Sequence, residues 1–101
     1  MSWTILQGIP IHYAYLDRQS PRTFVFINSL GTDFRIWDAV VDKLKDYGNI
    51  LRFDKPGHGL SGLPSKPFKI QDYAELTLEL MDFLQIERAV VVGLSIGCII
   101  A

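Results

Sequence analysis

Apolar and polar positions alternate over the first sixteen residues. Trp3 and Ile5 alternate with Thr4 and Leu6, and Ile11, Tyr13 and Tyr15 lie opposite His12, Ala14 and Leu16. A period of two belongs to a β-strand, and Gln7-Gly8 between the two runs predicts an antiparallel hairpin. Asp17 to Arg22, with Pro21, is a polar turn. Three later runs are nearly continuously apolar: Thr23-Phe24-Val25-Phe26-Ile27, Asn49-Ile50-Leu51-Arg52-Phe53 and Arg88-Ala89-Val90-Val91-Val92. Short runs of β-branched and aromatic residues without alternation predict parallel strands covered on both faces.

Two helical patterns separate these runs. Ile36, Val40, Val41 and Leu44 form one stripe, with Thr32 or Asp33 as cap and Tyr47-Gly48 as stop. Ile70, Tyr73, Ala74, Thr77, Leu80, Met81 and Leu84 form a second, with Gln71, Asp72, Glu75, Glu79 and Asp82 largely opposite. Strands alternating with helices predict an α/β fold: an antiparallel hairpin leading into a mostly parallel sheet with flanking helices. Residues 54–69 are a Gly- and Pro-rich loop with neither period.

Composition narrows the function. The chain has 101 residues, 49% hydrophobic and 21% charged, with a net charge of −1. This is one domain at most, with no electrostatic footprint for nucleic acid or an anionic membrane. A single Cys excludes an internal disulfide framework. Met1-Ser2-Trp3-Thr4 does not open a secretory signal, and no apolar run approaches the roughly 18–20 residues that span a bilayer. The expectation is a soluble cytoplasmic protein. The final Gly97-Cys98-Ile99-Ile100-Ala101 has no helix stop and no polar tail. Residues 1–101 are therefore expected to be an incomplete domain, the first part of something larger.

The chemistry concentrates after the third apolar run. Gly93-Leu94-Ser95-Ile96-Gly97 fits G-x-S-x-G, a sharp strand-to-helix turn that holds a nucleophilic serine above the sheet. Chance alone expects about 0.04 matches in this composition, so its placement after a strand and before a helix-like run carries most of the weight. Ser95 is the candidate nucleophile, against the reading of a simple turn serine. The loop Asn28-Ser29-Leu30-Gly31-Thr32-Asp33 follows the first parallel strand. The backbone N–H groups of Leu30 and Ile96 are the candidate oxyanion hole. In Asp54-Lys55-Pro56-Gly57-His58-Gly59-Leu60-Ser61, the trio Asp54, His58 and Ser61 is rejected as a catalytic set, because it crowds one loop in the wrong chain order. Asp54, Gly57, His58 and Gly59 are assigned to the structure of that loop. His12 is read as structural and Cys98 as a small packed hydrophobe. Arg35 and Lys55 are read as solvated charges, with attraction of a carboxylated substrate as the alternative. No metal-ligand cluster and no G-x-x-x-x-G-K-[ST] loop is present, and Gly57-x-Gly59-x-x-Gly62 follows Asp54-Lys55-Pro56 and does not open a helix, so no metal and no cofactor is expected.

These three motifs together resemble the α/β-hydrolase superfamily, and within it the 3-oxoadipate enol-lactonases. The narrower signal is Asn28-Ser29-Leu30-Gly31-Thr32-Asp33 followed by Trp37; the Asp54–Ser61 loop and the elbow are superfamily-wide. Cys98 and Pro56 depart from the usual small residue and Arg. The resemblance implies the N-terminal part of an α/β-hydrolase fold, ending just after the nucleophile elbow. It implies a serine hydrolase acting on an ester or lactone, with 3-oxoadipate enol-lactone as the leading substrate. The catalytic Asp and His would lie beyond Ala101. The 101 residues alone are then expected to be inactive, and to need the remainder of the chain or a second polypeptide to complete the sheet. The alternatives are another hydrolase of this fold (a carboxylesterase, a carbon–carbon bond hydrolase or a haloperoxidase-like protein) or a non-catalytic binding module.

Overall fold

The computed structural model describes residues 2–28, 32–64, 66–94, 97 and 100. Strands β1 (Ser2–Leu6) and β2 (Ile9–Leu16) form the hairpin, turning at Gln7 and Gly8, both with positive φ. β3 (Thr23–Ile27) and β4 (Asn49–Phe53) coincide with the first two continuous apolar runs. The third strand, β5 (Val90–Gly93), starts two residues later than its apolar run and includes the first elbow glycine.

The five strands lie in the order β1-β2-β4-β3-β5. β1 with β2 and β2 with β4 are antiparallel; β3 with β4 and β3 with β5 are parallel. The sheet is therefore mixed, with the hairpin added to a parallel unit of three strands. β3 sits between its two parallel neighbours, and both its faces are buried: Val25, Phe26 and Ile27 are at most 1% exposed. That is why its sequence does not alternate.

Each face of the sheet is covered by a different crossover. Helix α1 (Asp38–Leu44) and the 3₁₀ turn Phe34–Trp37 before it connect β3 to β4. They pack Phe34, Trp37, Val41 and Leu44 on Phe26 and Ile50. Helix α2 (Ile70–Phe83) connects β4 to β5 and packs Leu76, Leu80 and Met81 on Ile11, Val25, Leu51 and Phe53.

The α1 stripe differs in phase from the sequence expectation, whereas the α2 stripe largely holds, with Tyr73, Ala74, Thr77, Leu80, Met81 and Leu84 buried or packed against the core. Asp33 accepts from the N–H of Arg35 and starts a 3₁₀ turn, which advances 3.0 rather than 3.6 residues per turn. Phe34 and Trp37 therefore face inward while Ile36 and Val40 stay exposed. The helix also stops at Leu44 rather than at Tyr47-Gly48. On α2, Leu76 is fully buried although it lies outside the expected stripe, and Ile70 is exposed. The covered face is centred on Leu76, Thr77 and Leu80, because α2 rests on the long β2 as well as on β3 and β4.

β5 is an end strand of the described sheet, and Val90 and Val91 are 50% and 38% exposed. An uncharged β-branched edge is a template for further strand pairing. Produced on its own, the 101-residue polypeptide is expected to self-associate, and Val90→Lys to lower the sedimenting fraction. Unchanged sedimentation of the variant would assign the association to another surface.

Candidate active site

The strand order fixes where a ligand can sit. From the C-terminal end of β3 the chain runs to α1 on one face. From the C-terminal end of the neighbouring β5 it runs to Ile100, which packs in the cluster on the α2 face. Adjacent parallel strands whose connections diverge to opposite faces leave a crevice at their carboxyl ends. The G-x-S-x-G segment and the Asn28–Asp33 loop are the two chain segments that leave these strands.

Close packing at the elbow is visible in the residues that flank the serine. Gly93 pairs with Ile27 across β3 and β5. The N–H of Leu94 donates to the carbonyl of Ile27 at 3.1 Å, and the N–H of Gly97 donates to the carbonyl of Leu94 at 3.0 Å. A Cβ on Gly97 would lie 2.2 Å from the Ile27 carbonyl oxygen, so only glycine fits. The nucleophile candidate Ser95, the oxyanion candidates Leu30 and Ile96, and Cys98 lie outside the described residues.

The Asp54 loop is laced to both neighbours of β4. Oδ1 of Asp54 accepts from the N–H of Phe34 at 2.9 Å; Oδ2 accepts from Nδ1 of His12 and from the N–H of Leu60, both at 3.0 Å. The hydroxyl of Ser61 donates to the backbone carbonyl of Asp54 at 2.6 Å and accepts from the N–H of His12 at 2.9 Å. His58 Nδ1 lies 3.0 Å from the carbonyl of Pro56. Asp54, His58 and Ser61 thus hold backbone, and none of these bonds joins one of the three side chains to another. Gly57 and Gly59 have φ of +77° and +50°. A Cβ on Gly59 would also fall within 2.5 Å of the Asp54 carboxylate.

The buried His12–Asp54 pair was not foreseen. The two residues are 42 apart in sequence, and the β2–β4 pairing brings them together. His12 lies between the rings of Trp3 and Phe34, at 4.7 and 5.0 Å. It opens onto a cleft of about 450 Å³ with Asp33, Arg35, Asp54 and Leu60 in its lining. Both acids of this cleft are engaged. Asp54 has its three donors, and a hydrogen bond from Arg35 (2.7 Å to its Nη2) holds Asp33 below the usual carboxylate range.

Lys55 corrects the sequence reading. It is 1% exposed rather than solvated, and its Nζ donates to the Asn28 carbonyl at 2.7 Å. Asp54 and Lys55 are consecutive at the end of β4; the first reaches β2 and the second reaches the end of β3. Burial pushes the Lys55 ammonium down from the usual 10.5 to about 8, with the Asp54 carboxylate opposing that shift. Arg35 is exposed, as expected of a surface charge, and paired with Asp33. Among the described residues no cluster of His, Cys, Asp and Glu could hold a metal ion, and no helix is long and apolar enough to cross a membrane.

A mixed sheet with the crossing point between β3 and β5, the close-packed glycines that bound the G-x-S-x-G sequence and the Asp54 loop define an α/β-hydrolase fold. The alpha/beta hydrolase family model matches residues 24–101, and the chain belongs to that family. It is similar to two 3-oxoadipate enol-lactonases of Acinetobacter baylyi, enol-lactonase 1 at 38% and enol-lactonase 2 at 31% identity, each over 90% of this chain and 34% of the relative. The crystal structure of the enol-lactonase from Burkholderia xenovorans LB400 superposes with a TM-score of 0.89 at 37% identity, over 95% of this chain and 38% of that one. The chain spans about a third of the length of the curated relatives it matches.

Two outcomes follow from this packing. Gly97→Ala is expected to destabilise by about 3 kcal/mol or more, at or beyond the upper end of ordinary overpacking, because the obstacle is backbone; denaturant titration measures it. Lys55 makes stability pH-dependent. Between pH 8 and 10.5 the unfolded chain holds a proton that the folded chain does not, so stability rises with pH through that window. The cost of the buried charge is present in full below pH 8 and gone above 10.5. Lys55→Met should flatten the rise relative to the unsubstituted chain, as read from unfolding midpoints at pH 7 to 11.

Proposed function

We infer that this chain is the nucleophile-bearing part of a cytoplasmic serine hydrolase that opens 3-oxoadipate enol-lactone to 3-oxoadipate, in the catabolism of aromatic compounds. The observation that carries the reading is the close packing on Ile27 of Leu94 and Gly97, the residues on either side of the serine in G-x-S-x-G, at the carboxyl ends of β3 and β5. Similarity to enol-lactonases in both sequence and structure supports the substrate.

In this reading Ser95 attacks the lactone carbonyl while a His from outside residues 1–101 takes its proton. The backbone N–H groups of Leu30 and Ile96 hold the tetrahedral oxyanion. Collapse breaks the ring C–O bond, the enolate leaves, and it takes a proton at carbon to become the ketone. Water, deprotonated by the same His, then releases the acyl group and returns Ser95. The substrate supplies its own leaving group and water is the only co-reactant, so the chemistry calls for no cofactor. The 101 residues lack that His and its acid, and the remainder of the fold is needed to complete both sheet and triad.

The test is the full-length chain assayed on the enol-lactone and on simple aryl esters, with Ser95→Ala beside it. Turnover of the lactone is expected, with a loss of about 10⁴–10⁶ in kcat for the variant and none detectable for the isolated 101 residues. Ester turnover without lactone turnover would move the substrate to another class of this fold. Full activity in Ser95→Ala would overturn the serine mechanism.

A further inference from the structure

Positions 29–31, which carry the N–H of Leu30, are flanked by residues whose contacts point to what holds them. Asn28 is the last residue before positions 29–31 and is fully buried. Its Nδ2 donates to both the carbonyl and the hydroxyl of Thr32, at 2.8 and 3.1 Å. One side chain therefore ties the two ends of the three-residue segment together. The main chain of Asn28 is held in turn by Lys55, whose Nζ donates to its carbonyl across the gap between the ends of β4 and β3. Beyond Thr32, the N–H of Phe34 is fixed on Asp54, the residue next to Lys55. Both ends of the loop thus rest on one dipeptide.

We propose that Lys55 is a positioning residue, and that its buried ammonium, acting through Asn28, sets the loop that carries the N–H of Leu30. The catalytic consequence rests on the serine-hydrolase reading; the structural role does not. A surface lysine has no need of this environment. A neutral side chain of equal length would fill the same space and would leave the Asn28 carbonyl without this donor. Asn28 is the strap and Lys55 the anchor; neither contacts the reacting atoms in this scheme. The effect on chemistry comes from the aim of an oxyanion donor, where small displacements have large effects on rate.

Hydrogen–deuterium exchange of the full-length chain, with Lys55→Met and Lys55→Arg, tests the anchor. In Lys55→Met the amides of 28–34 are expected to exchange at least ten-fold faster while those of α2 keep their rates, so that a general loss of structure is recognised. Lys55→Arg, which keeps charge and donors, is expected to recover much of the protection. In the same preparations kcat should fall about ten-fold in Lys55→Met at nearly constant KM. Unchanged exchange at 28–34, or an equal rise in α2, overturns the proposal, as does faster exchange with kcat intact in an active enzyme. Exchange needs no substrate, so it decides the anchor even if Ser95→Ala were to show that the serine reading is wrong.

Discussion

The carboxylate of Asp54 is the junction on which the carboxyl end of this sheet depends. A buried carboxylate is costly unless its oxygens are met by donors. Here the donors come from three different stretches of chain: the His12 imidazole on β2, the Phe34 amide after β3, and the Leu60 amide of its own loop. Satisfying one charge therefore fixes three backbones against each other. Phe34, once held there, buries its ring between His12 and the Arg52 guanidinium, which lies 5.1 Å from the ring centre. The same residue sets the start of the 3₁₀ turn and so the phase of α1. Because Asp54 directly precedes Lys55, the junction on the β2 side of β4 and the anchor on the β3 side cannot move independently.

Much of this architecture is legible in the sequence, for a physical reason. β3 and β4 are covered on both faces, so their apolar runs coincide with the strands themselves. The hairpin is equally clear, because Gln7-Gly8 supplies the positive φ its turn requires. β5 is offset from its run because Arg88 and Ala89 precede the register with β3, which begins by pairing Val90 with Phe24. The α2 stripe is legible in phase as well as in kind, the α1 stripe only in kind. A single 3₁₀ turn rotates everything after it, and nothing in a hydrophobic period announces that turn; the Asp33 cap is the only local sign.

The site divides in the same way. G-x-S-x-G is a local motif, so its spacing is read directly from the sequence. The bonds made by Asp54 and Lys55 are not local. His12 looks like an ordinary alternating strand residue, and its partner lies 42 residues on, just past β4, across the β2–β4 pairing. Lys55 looks like a surface charge because lysines usually are. Its burial follows from lying just past a central strand, where the next side chain must reach across to β3. A buried polar side chain on a glycine-rich loop leaves no periodic trace, and only the assembled sheet shows which carbonyl it serves.

The lacing of β2 also has a consequence for the order in which the protein can be made. A two-stranded hairpin is marginal alone in water, and β2 gains its other partner only when β4 and the loop behind it exist. The His12 side chain bonds a residue 42 positions later and its N–H one 49 positions later. At translation speeds of about 5–20 residues per second, the first strands of this chain wait roughly 2–10 seconds for the residues that lock them. Ile11, fully buried in the finished sheet, is made before that pairing exists. The hairpin thus precedes its partners in the chain, and its lacing to the sheet is complete only once Ser61 has been made.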